Sequence, residues 1–417
     1  MRQIMQKAIM SFELPTSRAA AIALDQDDPL AAAAADFLLP DGLIYLDGHS
    51  LGPSSRQALE AVERTARQEW TEGLIRSWND ADWINLPKTV GAKLARLIGA
   101  PEEDVIVCDS VSINLYKLAV AALEHAPVKR VIVEADEFPT DQYMAQGLSA
   151  QTGAEFVRIG PGEGRAALER GGVLLKSVVN YRTAAVEDLA ALEHIAARHG
   201  SLIIWDLSHA TGCVDLDMQR DGVRLATGCS YKYLNGGPGA PAFIYADRGL
   251  ADTLRNPLPG WFGHADPFAF SEDYVPVSGA PRFAAGTPGI LSLRALDGAL
   301  NLFEGVSVEA LSAKARALGD LCLWWGERIG LTAISPGIGE RRGGHVSLLH
   351  EQGYAIVQAL IARNIIPDFR APDAMRFGFS PLYVGFAEVW DAMEALQDVL
   401  ATGAWDQPQF KTKATVT

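Results

Sequence analysis

The feature that most constrains the fold is a regular alternation of short apolar runs and helical patterns between residues 105 and 206. The runs are dominated by Val, Ile and Leu: VIVC (105–108), RVIVE (130–134), FVRI (156–159), LLKSVVN (174–180) and LIIWD (202–206). Strands that are apolar on both sides belong to parallel sheets covered on both faces by helices. We therefore predict an α/β fold with a large, mostly parallel sheet.

The pattern changes after about residue 290. Long helical stretches (290–330, 352–363 and 384–402) alternate there with two short strands, GGHVSLLH and AMRFGFS, which is typical of a smaller α+β domain. A chain of 417 residues is long enough for two domains. We predict an N-terminal leader and helix over 1–40, a large ligand-binding domain over 41–295, and a small C-terminal domain over 296–417.

Local signals before residue 100 predict several elements. An alanine-rich helix is expected from Pro29 to Leu39, and the strand LIYLD (43–47) leads into the turn GHSLGP. Helices are expected over about 53–70 and 88–99, with an ordered loop over 73–87 between them.

Charge and composition exclude several functions. The net charge of -15 repels nucleic acid and anionic membranes. Apolar stretches reach nowhere near the roughly 18 residues that span a bilayer, and the N-terminus lacks a signal-peptide core, although Met10 is an alternative start. Four scattered cysteines without a CxxC pair indicate reduced thiols and no zinc ribbon. We predict a cytoplasmic protein without metal, nucleic-acid or membrane binding.

The segment GCSYKYLNGGPGAPAFIY (228–245) carries the sharpest chemical signal. Its glycines allow positive φ angles and close backbone approach, and Lys232 stands immediately before them. A lysine held in this way can form a Schiff base with a carbonyl cofactor. Taken alone, the segment fits a surface lysine beside a glycine-rich turn equally well.

A second signal, WDLSHATG (205–212), lies at the carboxyl end of a predicted buried strand, where parallel sheets bind ligands. Asp206 could pair there with the pyridine nitrogen of pyridoxal phosphate (PLP), and His209 could lie against its ring. Each residue alone is more simply a helix N-cap or a core histidine. Together with Lys232 they favour a PLP site.

Weaker signals fall on loops and element ends. DSVSINLYK (109–117) suits a phosphate site at a helix start, or ordinary capping by Ser110 or Ser112. In DEFPTDQY (136–143), Phe138 could cover a flat ring or simply pack. Arg376 in MRFGFSPLY (375–383) could hold a carboxylate in a two-pronged contact, or form a salt bridge on a strand.

These motifs in combination resemble the kynureninase family, within the aminotransferase-like (fold type I) PLP enzymes. The resemblance runs from about residue 45 to residue 386. It is carried by GLIRSWN (73–79), DEFPTDQY, WDLSHATG, SYKYLNGGPG (230–239), PGWFGH (259–264), GTP (286–288) and RFGFSPLY (376–383).

The resemblance implies a set of PLP contacts. Lys232 would form the Schiff base, and Asp206 would pair with the ring nitrogen. The remaining contacts would come from the ring neighbours Phe138, Asp141 and His209, and from the phosphate ligands Val111, Ser112 and Tyr231. Ser112 stands where the family often has threonine, which keeps the hydroxyl. Tyr231 is also a candidate proton donor.

The resemblance also implies how substrate is bound. Arg376 would hold the substrate α-carboxylate, and Trp70 would help to shape the substrate pocket. Trp261 and Thr287 would reach the site from the partner subunit of a homodimer. Thr287 stands where vertebrate-type members carry asparagine, and this resembles the bacterial type, which prefers kynurenine to 3-hydroxykynurenine.

The implied reaction is hydrolysis of the Cβ–Cγ bond of L-kynurenine to anthranilate and L-alanine, in tryptophan catabolism. The nearest alternative is another fold type I PLP enzyme, such as an aminotransferase or a cysteine desulfurase. A desulfurase needs a reactive loop cysteine, and none of the four cysteines has that context. A PLP-binding regulator would need a nucleic-acid-binding module, for which the sequence shows no basic segment. A purely structural protein would leave the motifs as turns and caps.

Overall fold

The computed structural model describes residues 13–413. The first part of the predicted leader, with the alternative start at Met10, lies outside the described residues. The helices are α1 (Arg18–Gln26), α2 (Ala31–Ala34), α3 (Arg56–Arg64), α4 (Ser77–Asp80), α5 (Leu86–Leu97), α6 (Val111–His125), α7 (Pro139–Thr152), α8 (Gly164–Leu168), α9 (Leu189–His199), α10 (Arg248–Ala251), α11 (Ile290–Leu300), α12 (Val308–Arg328), α13 (Gly353–Ile361), α14 (Phe386–Thr402) and α15 (Pro408–Lys411).

The strands are short and fall into three sheets. They are β1 (Ile44–Tyr45), β2 (Val105–Val107), β3 (Arg130–Glu134), β4 (Glu155–Ile159), β5 (Val173–Ser177), β6 (Leu202–Asp206), β7 (Leu225–Gly228), β8 (Phe243–Ala246), β9 (Thr332–Ala333), β10 (His345–Leu349), β11 (Ile365–Ile366), β12 (Asp368–Arg370) and β13 (Ala374–Gly378). Within residues 13–413, no helix is both long enough and apolar enough to cross a membrane.

The main sheet has seven strands in the described chain, in the order β2-β8-β7-β6-β5-β3-β4. The run from β7 to β4 is parallel, and β8 is antiparallel to both of its neighbours. Every position of β3, β5, β6 and β7 is buried, because helices cover both faces. The predicted α/β fold with a mostly parallel sheet is confirmed.

The strand LIIWD is the centre of this sheet and corresponds to β6. Its last residue, Asp206, pairs in register with Ser177 at the end of β5 and with Thr227 on β7. Because parallel strands end at a common edge, the register places Asp206 where ligands bind in such sheets.

A second, antiparallel sheet in the C-terminal region has the order β12-β13-β10-β9. Arg376 lies on β13, directly opposite Asp368 on β12 and Ser347 on β10. The short β9 and β12, and the pair formed by β1 and β11, were not anticipated from the sequence. The expected strand near residue 45 is β1, which pairs with residues 365–366 and takes no part in the main sheet.

The segment after α3 departs from the prediction. The expected helix over 53–70 continues beyond α3 as a π-helix, Thr65–Gly73, and the expected loop contains a 3-10 turn, Leu74–Arg76, and α4. Bonds from outside the π-helix stabilise this geometry. The Ser77 hydroxyl donates to the Glu69 carbonyl at 2.5 Å, and the Trp83 indole and Arg294 Nε donate to the Glu69 carboxylate at 2.7 and 3.3 Å. Such tertiary bonds override local helix preference.

The N-terminal prediction was wrong in detail. A helix, α1, occupies part of the expected leader, and the alanine-rich helix shrinks to α2. Ser17 starts α1 by accepting the Ala20 amide at 3.2 Å. Asp25 then accepts the amides of Phe386 and Ala387 at 2.6 and 2.9 Å, which caps α14. The expected boundary between 295 and 296 falls within α11, and the domain limits stay a prediction.

We expect Asp25→Ala to lower the free energy of unfolding by about 1 kcal/mol, because two amides at the start of α14 lose their acceptor. Urea denaturation followed by tryptophan fluorescence measures this change. Asp27→Ala, at an exposed position on the same segment, is the matched control and should cost less than about 0.5 kcal/mol. Equal losses in both variants would contradict the capping role.

Candidate active site

Lys232 is held in the connection between β7 and β8 by the GHSLGP turn. The Gly52 amide donates to the Tyr231 carbonyl at 2.7 Å. A Cβ atom at position 52 would lie only 2.2 Å from the Lys232 carbonyl oxygen, so only glycine permits this approach. Two segments that are distant in sequence thus position the lysine together.

The Lys232 amine lies against the ring of His209. Its Nζ is 3.3 Å from both ring nitrogens. Burial, and then the charge of Lys232, lower the pKa of His209 well below its ordinary value. The imidazole is therefore neutral near neutral pH and can accept a hydrogen bond from the lysine.

Two buried carboxyl groups lie next to the lysine. Burial raises the pKa of Asp206, while the Ser208 amide, donating to Oδ1 at 2.8 Å, and Lys232 oppose the rise. Burial, then Asp206 and Glu137, raise the pKa of Asp141 well above its ordinary value. Asp141 Oδ2 finds no donor among the described residues. This acid pair provides a favourable place for a cationic heteroatom.

The start of α6 has the features of an anion site. Ser110 precedes the helix but makes no side-chain capping bond, so the capping alternative does not hold for it. The first-turn amides of a helix have no intrahelical acceptors, and the helix dipole is positive there. Val111 and Ser112 occupy this turn and are half-buried, so an amide and a hydroxyl are available to a phosphate group.

Phe138 and Tyr231 present aromatic groups near the same edge of the sheet. Phe138 is the residue immediately before α7, with 39% of its surface exposed, and its ring packs edge-on against Tyr181 at 5.4 Å. The Tyr231 ring centroid is 5.9 Å from the Lys232 Nζ. Burial raises the pKa of Tyr231, so its hydroxyl keeps its proton.

Arg376 is buried and forms the predicted alternative, a salt bridge on a strand, with Asp368. Its Nη1 donates to the Tyr181 carbonyl at 2.6 Å, and its Nη2 lies 3.4 Å from the Ser50 hydroxyl. The Nε–H has no acceptor within the described chain. The guanidinium is therefore fixed in place while keeping donors for a further partner.

Sequence reasoning missed two histidines of this region. The His345 ring lies 5.9 Å from that of His209 and is stacked on that of His49 at 5.2 Å, with only 10° between the planes. The three rings form a buried row between Lys232 and Arg376. His49 is in the GHSLGP turn and His345 in the GGHVSLLH strand, and their meeting depends on tertiary contacts that no local motif announces.

Trp70, Trp261 and Thr287 lie elsewhere. Trp70 is 58% exposed and lines a separate pocket of about 410 Å³ with Trp83 and Ile290. Trp261 packs against other aromatic residues of its neighbourhood, namely Trp78, Phe262 and Phe268. Thr287 is exposed. These three predicted residues thus lie at a surface with exposed aromatic groups instead of within the buried lysine cluster.

The residues present fit PLP. The cluster offers a lysine amine for the aldehyde, a buried acid pair for the ring nitrogen, and a helix start with a hydroxyl for the phosphate. Asp141 Oδ2 has no donor among the described residues, so a further polar group would fit beside it.

The fold is shared with solved PLP enzymes of fold type I. A cysteine desulfurase from Thermococcus onnurineus matches with a TM-score of 0.76 at 16% identity, over 89% of this chain and 98% of that one. An aspartate aminotransferase from Thermus thermophilus matches with a TM-score of 0.66 at 17% identity, over 86% and 99%. These likenesses define the class by its fold.

Sequence comparison narrows the class to one family. Residues 311–396 match the family model described as the kynureninase C-terminal domain. A kynureninase from Burkholderia mallei is 43% identical over 414 residues, covering 96% of this chain and all of that protein. A kynureninase from Pseudomonas fluorescens is 42% identical over 415 residues with the same coverage. The chain belongs to the kynureninase family.

The raised pKa of Asp141 gives a pH-dependent prediction for the apoprotein. Because the folded state holds this proton above the ordinary carboxyl pKa of 3.8, ionisation at higher pH destabilises the fold. Asp141→Asn should therefore gain in Tm relative to the native chain as pH rises from about 5 to about 8. The exposed Asp266→Asn variant should show a constant Tm difference. A pH-independent difference for Asp141→Asn would contradict the assignment.

Proposed function

We propose that the chain is a PLP-dependent hydrolase that cleaves the Cβ–Cγ bond of L-kynurenine to anthranilate and L-alanine, a step of tryptophan catabolism. The observation that carries the proposal is the contact of Lys232 with His209 beside the buried Asp206, in a chain whose relatives over nearly its whole length are kynureninases.

PLP, when bound, supplies an electron sink for negative charge that develops on the substrate. Lys232 would hold its aldehyde carbon, and Asp206 would keep a proton on the pyridine nitrogen. Val111, Ser112 and Tyr231 would hold the phosphate. Phe138 would lie on the ring, and the ring edge would contact Asp141 and His209.

The side chains of the cluster divide the proton transfers between them. The Lys232 amine would take the substrate Cα proton as general base. Neutral His209 accepts a hydrogen bond without adding positive charge beside it. Tyr231, whose hydroxyl stays protonated because burial raises its pKa, would donate a proton to the carbon released when the Cβ–Cγ bond breaks. In the same sequence a water molecule adds to the aryl ketone carbon, the bond from that carbon to Cβ breaks, and the water oxygen stays in the carboxylate of anthranilate while Cβ becomes the methyl group of alanine.

Substrate recognition rests on Arg376. Its remaining N–H donors suit the α-carboxylate, and its bonds to Asp368 and Tyr181 fix its direction. Trp70 would shape the aryl end of the substrate pocket. Thr287, which stands where vertebrate-type members carry asparagine, would favour kynurenine over 3-hydroxykynurenine.

We expect Lys232→Ala to lower the rate of anthranilate release from L-kynurenine by ~10³-fold or more, because it removes both the cofactor attachment and the general base. Anthranilate fluorescence with PLP in excess measures the rate. The exposed Lys88→Ala variant is the matched control and should retain the native rate. A native protein that binds PLP but releases no anthranilate would refute the proposed substrate.

A homodimer with shared active sites is part of this proposal. Large apolar side chains are exposed on the segments near Trp70 and Trp261, among them Ile75 at 77% and Phe270 at 79%. Further exposed members of this surface are Leu74, Phe268, Val275 and Leu291. Contiguous apolar surface of this kind marks protein interfaces. A second copy would cover it and bring Trp261 and Thr287 to the partner's Lys232.

A hybrid dimer tests this arrangement. One subunit carries Lys232→Ala and the other Trp261→Ala, and two affinity tags select the mixed species. If Trp261 serves the partner's site, one of the two sites keeps both native residues, and we expect about half of the native rate. If Trp261 serves its own chain, both sites are defective, and the hybrid is no faster than the Trp261→Ala homodimer.

We further propose a cytoplasmic location. The four cysteines, all within the described residues, are unpaired, and three of them are buried. Unpaired thiols in a chain of this length are typical of a reducing compartment.

A further inference from the structure

Behind Arg376 lies a cluster formed by Asp47, His49 and Asp368. The His49 ring is fully buried, with Nδ1 3.7 Å from an Asp47 carboxylate oxygen and Nε2 3.7 Å from an Asp368 oxygen. Both distances are slightly longer than a hydrogen bond. The ring therefore lies with one carboxylate near each nitrogen, and neither nitrogen has a hydrogen-bond partner among the described residues. An imidazolium, with its two N–H donors, would suit this setting.

The charges around His49 keep it neutral in the protein alone. Burial, and then Arg376, lower the pKa of His49 well below its ordinary value, with smaller contributions from the neighbouring His345, His209 and Arg370. Burial, and then Asp368, raise the pKa of Asp47 to about 7. Tyr45 also faces the two acids and stays protonated, because burial raises its pKa. The cluster thus contains one acid, Asp47, whose pKa lies near neutral pH, and it is flanked by the guanidinium groups of Arg370 and Arg376.

The donor types alone would also suit a cation, since one ligand atom from each of the three residues lies within 4.8 Å of the others. However, Asp368 already pairs with Arg376 and, at 3.0 Å, with Arg370. A cation would meet two positive groups at this place, so the cluster suits a proton better.

We propose that the Asp47–His49–Asp368 cluster takes up a proton from solvent when a carboxylate binds to Arg376. The inference rests on the proposed function, because it takes Arg376 as the carboxylate site. A bound carboxylate neutralises the guanidinium charge that disfavours protonation of His49, and its own negative charge favours a proton on Asp47 or His49. The Asp47 side chain is 18% exposed, which gives the proton a route from solvent.

The cluster would therefore position the substrate through Arg376 and compensate the charge of its carboxylate. The protonated cluster would hold Asp368, and through it Arg376, while offsetting the buried negative charge of the ligand. By linkage, the complex contains more protons than its separated parts, so carboxylate binding weakens as pH rises, by at most about tenfold per pH unit. The weakening should begin near the pKa of Asp47, at about 7.

The test uses the PLP-loaded protein and 3-benzoylpropanoate, which keeps the aryl ketone and carboxylate of kynurenine but lacks the amino group that reacts with the cofactor. Calorimetry in buffers of different ionisation enthalpy counts the protons taken up. Because the pKa of Asp47 is about 7 in the free protein, we expect uptake of at most about half a proton per ligand at pH 7, rising towards about one proton near pH 8. The matched amide, 3-benzoylpropanamide, has no carboxylate and should cause none.

Variants identify the cluster as the proton acceptor. His49→Asn and Asp47→Asn should each reduce the uptake, and the double variant should abolish it, whereas the exposed His199→Asn control should keep it. Cofactor absorbance reports whether each variant is folded and loaded. Native uptake by the double variant would overturn the inference. So would a native protein that binds the acid with equal affinity across the pH range, a measurement that needs no variant.

The outcomes separate this inference from the proposed function. A protein that releases anthranilate but binds 3-benzoylpropanoate without proton uptake would refute the cluster's role alone. Proton uptake by a protein that does not cleave kynurenine would refute the substrate while supporting the cluster's role.

Discussion

The carboxyl group of Asp206 lies at the end of a fully buried central strand, where two physical effects oppose each other. Burial disfavours its charged form, whereas Lys232 and the Ser208 amide favour it. The same effects set the protonation of its neighbours. Burial keeps His209 neutral beside the lysine and keeps the proton on Asp141. A protonated pyridine ring beside the two acids would supply the positive charge that this buried pair lacks. The sheet, the lysine segment and the helix start all converge on this position.

The fold could be predicted from the sequence where the pattern of apolar residues matches the burial of the element that they form. β6 coincides with LIIWD, because a strand buried on both faces admits only apolar residues. The prediction was wrong where distant contacts decide. The π-helix after α3 is held at Glu69 by a bond from Arg294, 225 positions away, and β1 pairs with residues more than 300 positions away, on β11. Neither partner leaves a local signature in the segment that it stabilises.

The site was predictable to a similar extent and for a similar reason. Lys232, Asp206 and His209 stand on motifs that end strands, and the structure brings them together. His49, His345 and Asp368 carry no such motif, because they meet through the packing of the GHSLGP turn on the C-terminal sheet. Trp261 and Thr287 lie apart from the lysine within one chain, and a single sequence contains no direct sign of what a second copy supplies.

The capping of α14 by Asp25 limits when this contact can form while the chain is synthesised on the ribosome. The acceptor and the amides that it satisfies are 361 residues apart. At ~5–20 residues per second, translation takes roughly 20–70 s to deliver α14 after α1 has emerged. During that interval the Asp25 carboxylate lacks these two donors, although the strands of the large sheet have already been synthesised. The contact between α1 and α14 can therefore form only after the segment that carries Arg376 has been made.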